Sequence, residues 1–260
     1  MEYKNILVSQ SELVRTVKVN RPDKLNALSI DTIRELTHAF REAQSDAATR
    51  CVVLTGEGPK AFIAGADISQ FVEMNATQAR EFSIEGNALI SLIENLGKPV
   101  IASINGYALG GGCEVALGCT LRVASETAQL GQPEVLLGIM PGFGGSQRLV
   151  RLVGKGRTME LCLLGDRITA QRAYELGIVN SLFKPEELAA KTADLARRIS
   201  QLPPLAVRYI IEAVNRGAES TLENGLDYES HLFALCFATE DKTEGARAFL
   251  DKRKPSWKGR

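Results

Sequence analysis

The chain predicts an α/β core followed by an all-helical region, and three observations carry that prediction. Short apolar, β-branched runs alternate with helix-spaced segments up to about residue 142. Beyond that point the strand signal fades and helical patterns follow. The 260 residues, 45% apolar and 24% charged, suffice for one large core, or for one main domain with a smaller appendage.

The elements follow in order. Ile6-Leu7-Val8 and Leu13 to Val19 read as strands, the second with clear alternation. Ser29 to Ala43 switches to helical spacing, with Ile33, Leu36, Phe40 and Ala43 on one face. Cys51 to Thr55 is a short apolar strand ended by Gly56, and a glycine-punctuated loop then passes through Ala64-Gly65-Ala66-Asp67. Thr77 to Leu96 is helical. Pro99 to Ile104 is a buried strand, the following helix begins in the glycine run near Gly110 or Gly111, and Leu121 to Ala124 resumes strand character. This repeated order argues for βαβ-like layering with right-handed crossovers. Pro185, Glu186 and Glu187 open a helix that closes with Arg197 and Arg198, matching its dipole at both ends. Further helices are expected near 205–215, 220–237 and 241–252. The α/β core should take roughly 190 residues. The helical tail has no large core of its own, so it is expected to pack on the body or on a neighbouring subunit.

Bulk properties exclude several classes. Lys plus Arg and Asp plus Glu number 31 each, so zero net charge draws the chain to neither nucleic acid nor membrane. The start shows no secretory pattern, and no stretch reaches the roughly 20 apolar residues that span a bilayer. The five cysteines form no CxxC and sit among aliphatic neighbours, as reduced, mostly buried thiols do. The cytoplasm is the expected compartment.

The densest signal is Asn105-Gly106-Tyr107-Ala108-Leu109-Gly110-Gly111-Gly112-Cys113-Glu114, followed by Gly131-Gln132-Pro133-Glu134. A glycine run after a buried strand lets backbone approach a ligand, and the first N–H groups of a helix starting there lack partners. Such donors suit an oxygen that gains negative charge, and Ala66 could supply a second donor from its own loop. Both stretches read equally as tight turns or close-packing sites. The spacing matches neither a phosphate loop nor a dinucleotide fingerprint.

Glu114 and Glu134 have no basic neighbour in sequence. If they are buried together, desolvation and mutual repulsion raise their pKa values, leaving one ionised and one protonated near neutral pH. That pair suits a base activating water and an acid delivering a proton. Both also read as solvated or salt-bridged glutamates. Gly142, after Pro141, opens another helix start whose N–H could orient water beside Glu134; capping is the plainer account. His38 and His231 read as structural or solvent-facing, Cys113 has no patterned histidine partner, and Asp67 reads as a local cap. No histidine–carboxylate spacing supports a metal centre.

Together with Asn20-Arg21-Pro22-Asp23-Lys24-Leu25-Asn26-Ala27-Leu28, Phe62 to Ile68 and Pro141 to Leu149, these blocks resemble the enoyl-CoA hydratase/isomerase (crotonase) superfamily, and within it the bacterial short-chain enoyl-CoA hydratases. The resemblance covers essentially the whole chain. It implies a crotonase-like ββα superhelix core over 1–195 and a helical region over 196–260 that serves packing and trimerisation, as a homotrimer or a dimer of trimers. It implies an acyl-CoA thioester as substrate, with coenzyme A part of that substrate and no separate cofactor. Ala66 and Gly111 are similar to the oxyanion-hole residues, Glu114 and Glu134 to the two catalytic glutamates, and Gly142 to the water-positioning glycine. Ala64, Gly65, Ala66, Asp67 and Ile68 resemble the wall that receives bent coenzyme A, with Lys24 beside its phosphates. The implied reaction is reversible addition of water to a trans-2-enoyl-CoA, giving a (3S)-3-hydroxyacyl-CoA. A double-bond isomerase, another acyl-CoA lyase of the family, and a non-catalytic module binding RNA or protein are the competing readings.

Overall fold

The computed structural model describes residues 2–260. The chain opens with an antiparallel hairpin, β1 (Ile6–Ser11) and β2 (Val14–Val19), and then α1 (Ile30–Ser45). Ser29, expected as the first residue of the helical segment, caps α1 by accepting from the Thr32 N–H. Ile33, Leu36, Ala39, Phe40 and Ala43 form the buried stripe of α1.

Three units of strand, strand and helix follow. The first is β3 (Cys51–Gly56), β4 (Ala61–Ile63) and α2 (Ala76–Glu94). The second is β5 (Val100–Ile104), β6 (Tyr107–Leu109) and α3 (Gly111–Gly118). The third is β7 (Leu121–Ser125), β8 (Gln129–Gly131) and α4 (Gly145–Leu164), the last interrupted at Gly154 with φ 78°. The first strand of each unit joins one sheet and the second joins another. β9 (Arg167–Thr169), α5 (Ala170–Glu175), β10 (Ser181–Phe183) and α6 (Pro185–Ser200) complete both sheets and cover the larger.

The larger sheet has the order β1-β2-β3-β5-β7-β10, parallel from β2 onward, and the smaller has β4-β6-β8-β9 with β4, β6 and β8 parallel. This is the expected ββα superhelix, but with more strands than periodicity predicts. The loop expected around 61–63 contains β4, the glycine run contains β6, and β8, β9 and β10 appear where no strand was expected. Each spans three residues, too short for alternation to register. Two asparagines hold the corners between the sheets. Asn26 Nδ2 donates to Glu57 O and Ala61 O, and Asn105 Nδ2 donates to Gly56 O and Gly58 O.

The main core lies inside the superhelix, with Leu54, Phe62, Ile63, Leu89, Ile90 and Ile93 sealed from solvent. A second cluster, Cys51, Val53, Ile101, Val123, Leu188 and Ala196, lies under α6 on the other face of the large sheet. All of β5 is therefore buried, as a parallel strand covered on both faces should be. The boundary expected after residue 195 falls within α6, whose last turn keeps Ala196 and Ser200 buried. The helical appendage proper is α7 (Pro204–Gly217), α8 (Leu222–Phe237) and α9 (Glu240–Leu250).

Close approach of α3 to β4 requires glycine at one point. A Cβ on Gly112 would stand 1.9 Å from the backbone oxygen of Ile63. Gly112→Ala should lower stability by about 2–3 kcal/mol through displacement of α3. Urea unfolding checks this, and a change below about 0.5 kcal/mol would contradict the packing account.

Candidate active site

The parallel order of β4, β6 and β8 gathers the singled-out residues at one end of the small sheet. Ala66 lies three residues beyond β4, Gly111 two beyond β6, and Glu134 three beyond β8. Ligand sites in parallel α/β sheets favour this end, where successive loops emerge side by side.

The Ala66 loop runs against residues 25–28. Leu28 donates to Gly65 O and accepts from the Asp67 N–H, both at 2.8 Å, forming a parallel bridge opposite Ala66. The bridge uses the residues flanking Ala66, so the Ala66 N–H itself faces the other way and has no protein acceptor among the described residues. Gly111 is the first residue of α3, so its N–H also lacks an intrahelical partner. Gly110, at φ 49°, provides the turn, and a Cβ there would stand 2.9 Å from Glu134 Oε1.

Glu114 lies one turn into α3 and is 1% exposed. Its Oε1 accepts from the Phe143 N–H at 2.8 Å and from the Gly145 N–H at 2.6 Å. The second oxygen takes no protein hydrogen bond, and because no sealed side-chain oxygen lacks a partner, it is not fully sealed. Burial pushes the Glu114 carboxyl up to about 7, against the lowering effect of the Gly145 N–H; the Glu134 charge raises it further. Glu134 sits in a 3-10 turn (Pro133–Leu137) and is also raised by burial. Gln132, 1% exposed, sets its side-chain amide against Glu134; assigned so that both groups are satisfied, its nitrogen donates to the two Glu134 oxygens, at 2.9 and 3.2 Å.

The turn that holds Glu114 is itself anchored. Arg148 donates to Phe143 O at 3.1 Å and pairs with Glu94 on α2 at 3.0 Å. Ser83 and Asn87 of α2 donate to Gly142 O, at 2.5 and 2.9 Å, while the Gly142 N–H has no protein acceptor among the described residues. Sequence reasoning singled out Gly142 but missed the amides of Phe143 and Gly145, which fold back to Glu114. It also quoted Gln132 without a role. The signal available for Gln132 was its place two residues before Glu134.

The remaining candidates separate. Ala64 donates to Leu25 O at 3.1 Å, and Ile68 is 50% exposed at the loop's outer side. Lys24 is exposed in the 3-10 turn Pro22–Lys24, on the segment that runs into Leu28. Asp67 accepts from Ser69 Oγ at 2.7 Å and pairs with Arg21 at 2.8 Å; these contacts hold its carboxyl below the ordinary range. It is a local anchor. Burial, followed by the two glutamates, pushes the Cys113 thiol to about 12, so it stays protonated. His38 bonds Tyr3 on the side of α1, and His231 is exposed on α8.

Chemically, the arrangement offers two backbone N–H groups without protein acceptors, one carboxyl raised to about 7 and a second raised by burial. A family model described as Enoyl-CoA hydratase/isomerase matches residues 9–260. The short-chain-enoyl-CoA hydratase of Clostridium acetobutylicum is 45% identical over 254 residues, covering 98% of this chain and 97% of that protein. The crotonyl-CoA hydratase of Syntrophomonas wolfei is 44% identical over 257 residues, covering 99% of each. A crystal structure of enoyl-CoA hydratase from Bacillus anthracis superposes with a TM-score of 0.96 at 41% identity, covering 99% of this chain and 100% of that one.

The raised carboxyl of Glu114 makes stability fall with pH. Its folded pKa of about 7 lies above the unfolded value of 4.5, so the folded state binds more protons between them. Wild-type stability should therefore decline from about pH 4.5 to 7 through this group. Glu114→Gln, which keeps the acceptor for both amides, should be more stable than wild type at pH 8, by about 2–3 kcal/mol. Paired urea titrations at pH 5 and pH 8 test this, and equal differences at both pH values would contradict it.

Proposed function

The chain belongs to the enoyl-CoA hydratase/isomerase family as an enzyme acting on acyl-CoA thioesters, and from that premise we propose how its residues add water. The observation that carries the reading is the pair of buried, upshifted carboxyls beside two unpaired backbone N–H groups. The thioester oxygen of a trans-2-enoyl-CoA sits between the N–H groups of Ala66 and Gly111. As negative charge grows on that oxygen, these fixed donors stabilise it without reorienting, and C3 becomes electrophilic.

Glu114 takes a proton from water, whose oxygen bonds to C3. Glu134 delivers a proton to C2, and exchange through the site returns the proton from Glu114 to Glu134. The sum is one water added and neither carboxyl changed, giving a (3S)-3-hydroxyacyl-CoA; the reverse is dehydration. A Glu114 pKa of about 7 suits the base role, because the ionised form is well populated at neutral pH yet still basic. The two amides on Oε1 leave Oε2 for the water, and the free Gly142 N–H is assigned to positioning it. Two carboxyls of this kind favour hydration over isomerisation, for which one proton-transfer group suffices.

The loop Ala64, Gly65, Ala66, Asp67, Ile68 forms the coenzyme A wall in this reading. Exposed Lys24 lies on the neighbouring segment, where an ammonium suits a phosphate. The helices beyond α6 are assigned to assembly as a trimer or dimer of trimers. No residue of α7 is buried within the chain, and Ile210, Val214, Leu226, Phe233 and Phe237 are exposed, an apolar area that a partner copy would cover. The cytoplasm is proposed as the compartment because all five cysteines are free thiols.

Glu114→Gln and Glu134→Gln should each lower kcat on crotonyl-CoA by about 100-fold or more, with KM changed little. Loss of ultraviolet absorbance from the conjugated thioester reports the rate; near-normal turnover by either variant would remove the two-carboxyl mechanism. Gln132→Leu leaves Glu134 without its amide donor and, since Glu134 must be protonated to deliver its proton, should move the alkaline limb of the kcat/KM profile to higher pH. An unmoved profile would contradict that role. Sedimentation equilibrium should give the mass of three or six chains, and a stable monomer would remove the assembly assignment.

A further inference from the structure

We propose that Ser83 and Asn87 of α2 are positioning residues for the reaction, acting on Glu114 through the single peptide group that joins Gly142 to Phe143. The inference rests on the hydration reading, in which Glu114 is the base, and adds two residues that do not touch its carboxyl. A trans peptide is planar, so its C=O and N–H point in opposite directions from one rigid unit. On one side of this unit, Gly142 O accepts from Ser83 Oγ at 2.5 Å and from Asn87 Nδ2 at 2.9 Å. On the other, the Phe143 N–H donates to Glu114 Oε1 at 2.8 Å. Donors on a carbonyl polarise its peptide and make the N–H at the far end a stronger donor. The two side chains thereby aim that N–H at the carboxylate and strengthen its hold on the ionised form.

Ser83 and Asn87 stand one turn apart on the same face of α2. Asn87 Nδ2 also donates to Ser83 O at 2.9 Å, which fixes the amide where it meets the turn. Gly86, beside them, offers bare backbone. A Cβ there would lie 2.3 Å from the Phe143 ring, so glycine lets the turn come this close to α2. The other amide on Glu114 has a different support. The Gly145 N–H belongs to the peptide whose carbonyl, Gly144 O, accepts from the Gln147 and Arg148 N–H groups at the start of α4. Of the two donors that hold the base, one is therefore backed by backbone and the other by side chains.

The ionised groups around Glu114 are independent of these two residues. Glu134 raises its pKa and Arg148 of α4 lowers it. The thiols of Cys113 and Cys162 feel both carboxyls and are pushed up, so they stay protonated. On α2, Glu94 pairs with Arg148 and Glu85 with Arg34. β4 carries no titratable group, and Tyr107 of β6 lies under Arg167. Ser83 and Asn87 are neutral, so replacing them removes hydrogen bonds and no charge.

The test titrates Glu114 directly. Carboxyl carbon-13 spectra of glutamate-labelled protein identify Glu114 by the signal lost in Glu114→Gln. Spectra taken from acid to alkaline pH give its midpoint in wild type, Ser83→Ala, Asn87→Leu, the double variant and Ser83→Thr, each checked by thermal melting. The midpoint should rise by about 0.5 in Ser83→Ala and in Asn87→Leu, and by about 1 in the double variant. Ser83→Thr keeps the hydroxyl and should keep the wild-type midpoint. The acid limb of the kcat/KM profile should rise with the midpoint, because the base must be ionised, while the alkaline limb stays. Loosened packing alone would lower kcat at every pH and leave both limbs in place. An unmoved midpoint in folded variants, or one moved as far by Ser83→Thr as by Ser83→Ala, overturns the inference. Should Asn87→Leu fail to melt as a folded protein, the two Ser83 variants decide alone. If no enoyl-CoA is hydrated while the midpoint moves as stated, the hydration reading fails and the coupling through the peptide stands. If wild type hydrates crotonyl-CoA while the midpoint stays, the coupling fails and that reading stands.

Discussion

The site depends on a buried carboxylate held by two backbone amides. Glu114 is almost fully removed from solvent, and the charge it carries when ionised is stabilised by the N–H groups of Phe143 and Gly145, 29 and 31 residues away in sequence. Those two donors oppose the upward push of desolvation on the carboxyl. With them its pKa rests at about 7. The turn at 142–145 is thus both a structural cap and the setting of an acid–base group. Its anchors, Arg148 on Phe143 O and the α2 side chains Ser83 and Asn87 on Gly142 O, tie the electrostatics to helix packing.

The superhelix explains why such distant segments meet. Each turn places its second, three-residue strand in the small sheet, and β4, β6 and β8 run parallel. Residues two or three positions past each strand therefore emerge together. One loop presents the Ala66 N–H, the next the Gly111 N–H, and the third Glu134. The large sheet takes no direct part in that constellation; its role is to hold the three turns of the chain in register, with a core on one face and α6 on the other. Unpaired amides persist at the strand ends because the loops there turn away from further ladder bonds.

Packing and hydrogen bonding meet in one residue. The backbone of Phe143 serves the carboxylate, and its ring lies against Gly111, Phe82 and the bare backbone of Gly86. A side-chain change at this position alters that packing while leaving the amide available. The helices after α6 have a different physical character. Their inward faces are modest, and several large apolar side chains remain exposed on a single chain. An apolar surface of this kind is left uncovered within the single chain.

Much of this was present in the sequence. The amphipathic run from Ser29 marked α1, and Pro185 with its flanking charges marked α6, because periodicity and dipole preferences act within a few residues. The five long strands β1, β2, β3, β5 and β7 were legible from their apolar, β-branched runs. The spacing of Glu114 from Gly111 already placed a carboxyl one helical turn above a free N–H. Three-residue strands such as β4, β6 and β8 were not legible, since a strand so short owes its conformation to its neighbours in the sheet. The donors to Glu114, the amide of Gln132 on Glu134 and the ring of Phe143 on Gly86 were equally hidden. Local sequence determined which groups could carry the chemistry and where helices and long strands begin. Tertiary structure alone decided which amides reach which carboxyl, because hydrogen bonding and desolvation depend on distances between segments that no local pattern encodes.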